Sequence, residues 1–266
     1  MTQVRKISWE SLLPVYLEPT VNGISLGVTA TGFLVSNSSG RFFIITNRHV
    51  VTGRNNFTGT PLCKKPSEHQ APQELKVQFQ DISGLGLWLE KTYPLYKEKG
   101  DKLFFEHEVN NEYMDFVALE FDIFPQLGNM VKSFEPSQLD RHVLAIQDTV
   151  AVLGFPFGKT VKSTFGNLDV NFPIWSTGFV ASHAALDADN RPIFFIDCRT
   201  RPGQSGSPVI ASEHRPTRQT NEDGSVEIVS MQYKLFGIYS GRIAEDSDIG
   251  LVWKASAIID LIESIK

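Results

Sequence analysis

The sequence predicts an all-β protein with a single helix at its C-terminus. Three observations point there: short apolar runs that alternate with polar residues, the Gly, Pro, Asn and Asp that punctuate them, and one stretch of helical periodicity at the end of the chain. In order, strands or strand pairs are predicted over 25–35, 41–46, 75–79, 116–121, 149–153, 175–182, 193–197, 208–211, 226–239 and 249–253. The run Phe42-Phe43-Ile44-Ile45 is typical: four apolar residues, then a polar Thr46-Asn47 break. Many short strands without long helical windows build a sandwich or a barrel. Over 254–266, Ile258, Ile259, Leu261, Ile262 and Ile265 recur at three- and four-residue steps, so this stretch is an amphipathic helix that docks by one face. Segment 124–141 is richer in Pro, Ser and Gln and reads as the connection between two β units, 1–135 and 136–266. The polar stretches 64–74 and 212–224 read as exposed loops.

Composition removes several function classes. The chain has 266 residues, 41% hydrophobic and 21% charged, so it can bury a core and is not a disordered tail. Its formal net charge of −5 argues against non-specific nucleic-acid binding, which needs a basic face. No apolar stretch is long enough to span a membrane as a helix. The first residues, Met1 to Glu10, include Arg5 and Lys6 but no following apolar run, so no secretory leader is expected. Cys63 and Cys198 are the two cysteines, read as ordinary small apolar residues in a reduced, cytoplasmic compartment. The histidines at 69, 107, 142, 183 and 214 show no metal spacing and are expected at the surface; no metal and no cofactor are expected. Trp175 and Phe179 are expected in the core.

Three short segments carry chemistry. Thr46-Asn47-Arg48-His49-Val50-Val51 ends the 42–45 apolar run, Met114-Asp115 opens the strand over 116–121, and Gly203-Gln204-Ser205-Gly206-Ser207-Pro208 sets a serine among glycines. At average residue frequencies, Gly-x-Ser-Gly-x-Pro should occur by chance only about 0.005 times in such a chain. Its presence beside the other two segments therefore carries weight. His, Asp and Ser in this order on an all-β background resemble the trypsin-like (chymotrypsin-fold) serine peptidases. Thr31-Gly32-Phe33-Leu34-Val35, Leu153-Gly154-Phe155-Pro156-Phe157-Gly158, the stretch 176–182 and Gly237 to Arg242 are similar to the bacterial members, the HtrA-type and glutamyl-endopeptidase-type enzymes. The likeness runs from about Val28 to the terminal helix.

The resemblance implies two packed six-stranded antiparallel barrels, with His49 and Asp115 from the first and Ser205 from the second. A serine hydroxyl is a poor nucleophile until a neighbouring base takes its proton. His49 would be that base, Asp115 would orient the imidazole, and the backbone N–H groups of Gly203 and Ser205 would hold the oxyanion. The substrate would be a protein or peptide, bound along Arg199, Thr200, Arg201 and the edge Tyr239, Ser240, Gly241 and Arg242. No carboxylate follows Asp197 in the pocket stretch, which disfavours Lys or Arg at the cleavage site. Arg199, Arg201 and Arg242 would instead favour an acidic group, a reading weighed against ordinary solvated arginines.

Departures from the family pattern add two expectations. Animal digestive members place an Asp before the nucleophile, where it pairs with a freshly cut N-terminus. Gln204 stands there in this chain and has no charge to pair, so activity should not require zymogen cleavage. The chain ends after its terminal helix, so the PDZ module of HtrA-type enzymes is not expected. A cytoplasmic endopeptidase needs restraint, by narrow specificity, by an inactive loop conformation from Arg199 to Gln204, or by a regulatory protein partner. The competing reading is a catalytically silent peptidase fold that serves as a protein-binding module.

Overall fold

A computed structural model describes residues 8–62, 71–81, 87–121, 133–135, 144–165, 168–212, 218–220, 226–228 and 233–265. Most of the expected connection over 124–141 and of the loops over 64–74 and 212–224 lies outside these residues, as do Cys63, His69, His142 and His214. The N-terminal half contains β1 (Pro14–Val21), β2 (Ile24–Ser25), β3 (Ala30–Ser36), β4 (Phe42–Thr46), α1 (Arg48–Thr52), β5 (Glu74–Asp81), β6 (Leu87–Pro94), β7 (Phe105–Val109) and β8 (Glu112–Glu120). The C-terminal half contains β9 (Thr149–Gly154), β10 (Val161–Phe165), β11 (Leu168–Phe172), β12 (Ile174–Val180), β13 (Ile193–Asp197) and β14 (Pro208–Ser212). There follow β15 (Arg218–Thr220), β16 (Val226–Ile228), β17 (Tyr233–Arg242), β18 (Ile249–Lys254) and α2 (Ala255–Ser264).

The expected barrel of six strands is the C-terminal one, closed in the order β12-β13-β18-β17-β14-β9. The N-terminal half differs in its strand count. Among the described residues it is an eight-stranded antiparallel sheet ordered β6-β5-β1-β3-β4-β8-β7, with β2 paired to β1. Two tight hairpins account for the extra strands. Asn22 and Gly23 (φ 51° and 74°) turn β1 into β2, and Asn110 and Asn111 (φ 54° and 63°) turn β7 into β8. Left-handed φ at both central residues is the twist-matched two-residue hairpin turn, which Asn and Gly tolerate best.

One core cluster runs through both halves. Phe33, Phe43 and Phe116 from the N-terminal sheet meet Trp253 and Ile258 from the C-terminal half, and the Phe116 and Trp253 rings sit edge-on at 6.1 Å. Helix α2 buries Ile258, Leu261 and Ile262 in this cluster, each worth about 1.5–3 kcal/mol relative to exposure. Its last carbonyls accept from the other half: Asn37 Nδ2 donates to Ile262 O at 3.2 Å and Arg41 Nη1 to Ile265 O at 3.1 Å. The helix thus ties the two halves together. Phe179 departs from expectation, because it alternates outward on β12 and is 53% exposed; Trp175 is half-buried with its Nε1 donating to Ser11 Oγ. Among the described residues no helix is long and apolar enough to cross a membrane.

Candidate active site

Strand pairing brings the first two residues together. β4 runs antiparallel to β8 with Thr46 opposite Val117, so the chain leaving β4 passes beside Asp115. Asn47, fully buried, fixes that exit by donating from Nδ2 to Asp115 O at 2.7 Å. The single turn α1 then carries His49 and stops at Gly53, whose φ of 67° is left-handed and whose N–H closes on His49 O at 2.9 Å. Asp115 is 2% exposed and fully used. Its Oδ1 accepts the His49 backbone N–H at 3.0 Å, its Oδ2 lies 2.7 Å from His49 Nδ1, and Oδ2 also accepts from Ser240 Oγ on β17. A buried carboxylate with these partners holds one face of the imidazole and leaves Nε2 for other work.

The serine loop is built by a polar lattice centred on Thr31, at the second position of β3. Thr31 N donates to Ser205 O at 2.9 Å, its Oγ1 donates to Gly203 O at 2.8 Å, and its carbonyl accepts from Thr46 Oγ1 at 2.9 Å. Two glycines are required by contact. A Cβ on Gly206 (φ 85°) would lie 2.0 Å from Thr31 O, and one on Gly203 (φ 95°) would lie 2.4 Å from Phe155 O. The loop rests on the Phe155–Gly158 turn, where Phe157, at φ 54°, donates from its N–H to Pro202 O at 2.6 Å.

Gln204 sits at the centre of this loop with no solvent exposure. Its Oε1 accepts the Arg201 N–H at 2.8 Å, and its Nε2 donates to Ser176 Oγ at 2.9 Å. Its own N–H is taken by Arg201 O at 3.1 Å. Among the described residues, the N–H groups of Gly203 and Ser205 on either side find no acceptor within the chain. His49, Gly203 and Ser205 line one cavity of about 670 Å³ together with Leu26, Val28 and Phe157. His49 and Asp115 also line a second cavity of about 480 Å³, which extends along Ser240, Gly241 and Arg242. The two cavities flank the imidazole as the halves of a cleft.

The residues expected to bind substrate are placed differently from one another. Arg199 is exposed, and Arg201 uses Nη1 on Thr200 O at 2.7 Å. Thr200 and Tyr239 are buried, with their hydroxyls 2.5 Å apart. Asp197 points outward from β13. Sequence reasoning missed the supporting hydroxyls and amides: Thr31, Ser176, Asn47 and the bond from Ser240 to Asp115. His107, expected at the surface, is half-buried against the Phe116 ring, and burial lowers its basicity. No group of three His, Cys, Asp or Glu side chains stands in a metal-binding arrangement among the described residues.

Two buried acids beneath this site yield a pH dependence. Burial first, then Asp197 and Asp248, pushes the Cys198 thiol up to about 11, and burial pushes the Tyr239 hydroxyl up to about 12. Unfolded, they ionise near about 8.5 and 10. Between those values the unfolded chain binds fewer protons than the folded one, so stability falls as pH rises. The urea midpoint is expected to drop from pH 8 to pH 10.5. Iodoacetamide at pH 8 should modify Cys198 only after urea is added, as read by peptide mass.

Residues 30–216 match the profile of the family described as the trypsin-like peptidase domain. The chain therefore belongs to the trypsin-like peptidases. A search of curated protein sequences finds no match. Among solved structures, the chain is similar to a serine endoprotease from Yersinia pestis, at 14% identity and a TM-score of 0.52, over 98% of this chain and 67% of that one. It is also similar to the active form of the Rv3671c protease from M. tuberculosis, at 16% identity and a TM-score of 0.47, over 96% of this chain and 81% of that one.

Proposed function

We propose that the chain is a serine endopeptidase that works through His49, Asp115 and Ser205. The observation that carries this is the buried Asp115 on His49 Nδ1, with the same imidazole and Ser205 lining one cavity. Ser205 Oγ attacks the scissile carbonyl while His49 Nε2 takes its proton. The carbonyl oxygen becomes an oxyanion held by the N–H groups of Gly203 and Ser205, donors typically worth about 3 kcal/mol each. Imidazolium then gives its proton to the leaving amine, and the C–N bond breaks to leave an acyl-serine. Water, deprotonated by the same imidazole, attacks this ester; the proton returns to Ser205 as the acid is released.

The substrate is a protein or peptide. It adds as a strand beside Ser240 to Arg242 and crosses Ser205 from the smaller cavity into the larger one. We assign residues 1–135 to the unit bearing His49 and Asp115, and 136–266 to the unit bearing Ser205. The free thiol of Cys198 and the low cysteine content support a cytoplasmic location, with restraint by narrow specificity or a regulatory partner. A fluorophosphonate should label the purified protein at Ser205, and the label should vanish in Ser205→Ala and His49→Ala. Absence of labelling in the wild type, with peptide and ester substrates also untouched, would overturn the reading in favour of a silent binding module.

A further inference from the structure

Neither of the two cavities described above is lined by Thr200, Tyr239 or Gly250, the residues among which the side chain before the scissile bond would enter. The scissile carbonyl oxygen must lie at the Gly203 and Ser205 N–H groups, and the strand carrying it lies beside Ser240 to Arg242. The side chain of its last acyl residue therefore points between two backbone runs, 199–203 on one side and the paired ends of β17 and β18 on the other. Arg242 pairs with Gly250 there.

That gap is occupied by Tyr239. One edge of its ring lies over Gly250, where an added Cβ would be 2.7 Å from Tyr239 Cε2. Its hydroxyl meets Thr200 Oγ1 at 2.5 Å on the opposite run. The ring thus spans from strand to loop and is only 3% exposed; Thr200 is fully buried. Ile196, Cys198 and Val252 pack with it in the barrel core, so it is not a side chain that swings aside at no cost. Gly250 is itself needed by this arrangement, since any side chain there would displace the ring.

We propose that Tyr239, locked by Thr200, restricts cleavage to bonds that follow a small residue, Gly, Ala or Ser. This rests on the serine-peptidase reading and deepens it: Tyr239 is a specificity-determining residue that closes the primary pocket from within. A large side chain at that position must either displace a buried ring with its hydrogen bond or lift the carbonyl away from the oxyanion donors. An overfilled pocket discriminates strongly, whereas a missing methylene in an open one is worth only about 10–200-fold.

The test uses the full-length protein and peptidyl phosphonates that differ only in the side chain before the phosphorus: hydrogen, methyl, isobutyl and benzyl. A fluorophosphonate without such a side chain serves as the reference, and Ser205 modification is read by intact mass. The expected result is labelling by the hydrogen and methyl probes at least 100-fold faster than by the isobutyl and benzyl probes. Tyr239→Val should raise the isobutyl and benzyl rates at least tenfold relative to methyl, while Tyr239→Phe, which keeps the ring, should retain the preference for small groups. Wild-type protein labelled equally or faster by isobutyl or benzyl, while the fluorophosphonate also labels, overturns this inference alone. No labelling by any probe overturns the peptidase reading and this inference with it. The wild-type series decides the matter by itself, so the test stands even where a Tyr239→Val protein fails to fold.

Discussion

Asp115→Asn is expected to slow Ser205 acylation by about 10⁴-fold while leaving the fold intact, the order seen when this tautomer is lost in Ser-His-Asp enzymes. The amide is the same size as the carboxylate, and its Oδ1 can still accept the His49 backbone N–H. The NH2 group then occupies the position of Oδ2, facing His49 Nδ1 and Ser240 Oγ. A donor opposite Nδ1 forces that nitrogen to accept, which moves the ring proton to Nε2. Nε2 then has no lone pair with which to take the proton of Ser205. Turning the amide over restores a bond to Nδ1–H but sets NH2 against the His49 backbone N–H, so neither orientation satisfies both. The measurement is the rate of fluorophosphonate labelling, alongside thermal unfolding. Labelling within tenfold of the wild type, in a variant that melts normally, would remove Asp115 from the catalytic assignment.

The chemistry-bearing segments and the closed barrel were legible in the sequence for a shared physical reason. Short, mainly apolar runs bounded by turn residues read as strands, as at 149–153, 193–197 and 249–253, and these appear as β9, β13 and β18 within one residue of the predicted ends. β1 was not legible because Pro14 and Pro19 break its alternation, yet it pairs with both β3 and β5. Pro19 lies near the end of β1, beyond the pairing with β3, where a missing N–H is tolerated. β7 was missed because it is an exposed edge, where Glu106, His107 and Glu108 give no apolar run to read. The turns that close the β1 and β7 hairpins did carry a signal, Asn22-Gly23 and Asn110-Asn111, which turn chemistry could have used. The site's support was illegible for a different reason. Ser176 and Ser240 act through single hydroxyls and Thr31 through its hydroxyl and its own backbone, and such groups have no period and no spacing rule that separates them from those of a surface residue.

Gln204 is the case in which a departure from the family pattern acquires a physical role. The sequence shows only that no charge stands before Ser205. The structure places the neutral amide in a buried cradle, where it accepts from Arg201 N–H and donates to Ser176 Oγ. These two bonds hold the 201–205 run in the shape that leaves the Gly203 and Ser205 N–H groups unclaimed among the described residues. A positioning residue of this kind acts on the oxyanion and not on substrate contacts. Gln204→Ala is therefore expected to lower kcat by about 10³-fold, the upper end for loss of an oxyanion donor, with KM changed less than about threefold. Ser176→Ala should cost less, because Gln204 Oε1 keeps Arg201 N–H. The double variant should be no slower than Gln204→Ala alone, since both residues serve one latch. Protein that retains Met1 should label with fluorophosphonate as fast as protein trimmed to Ser8. If Gln204→Ala raises KM while kcat is preserved, or if labelling appears only after trimming, the amide is not what sets the oxyanion loop.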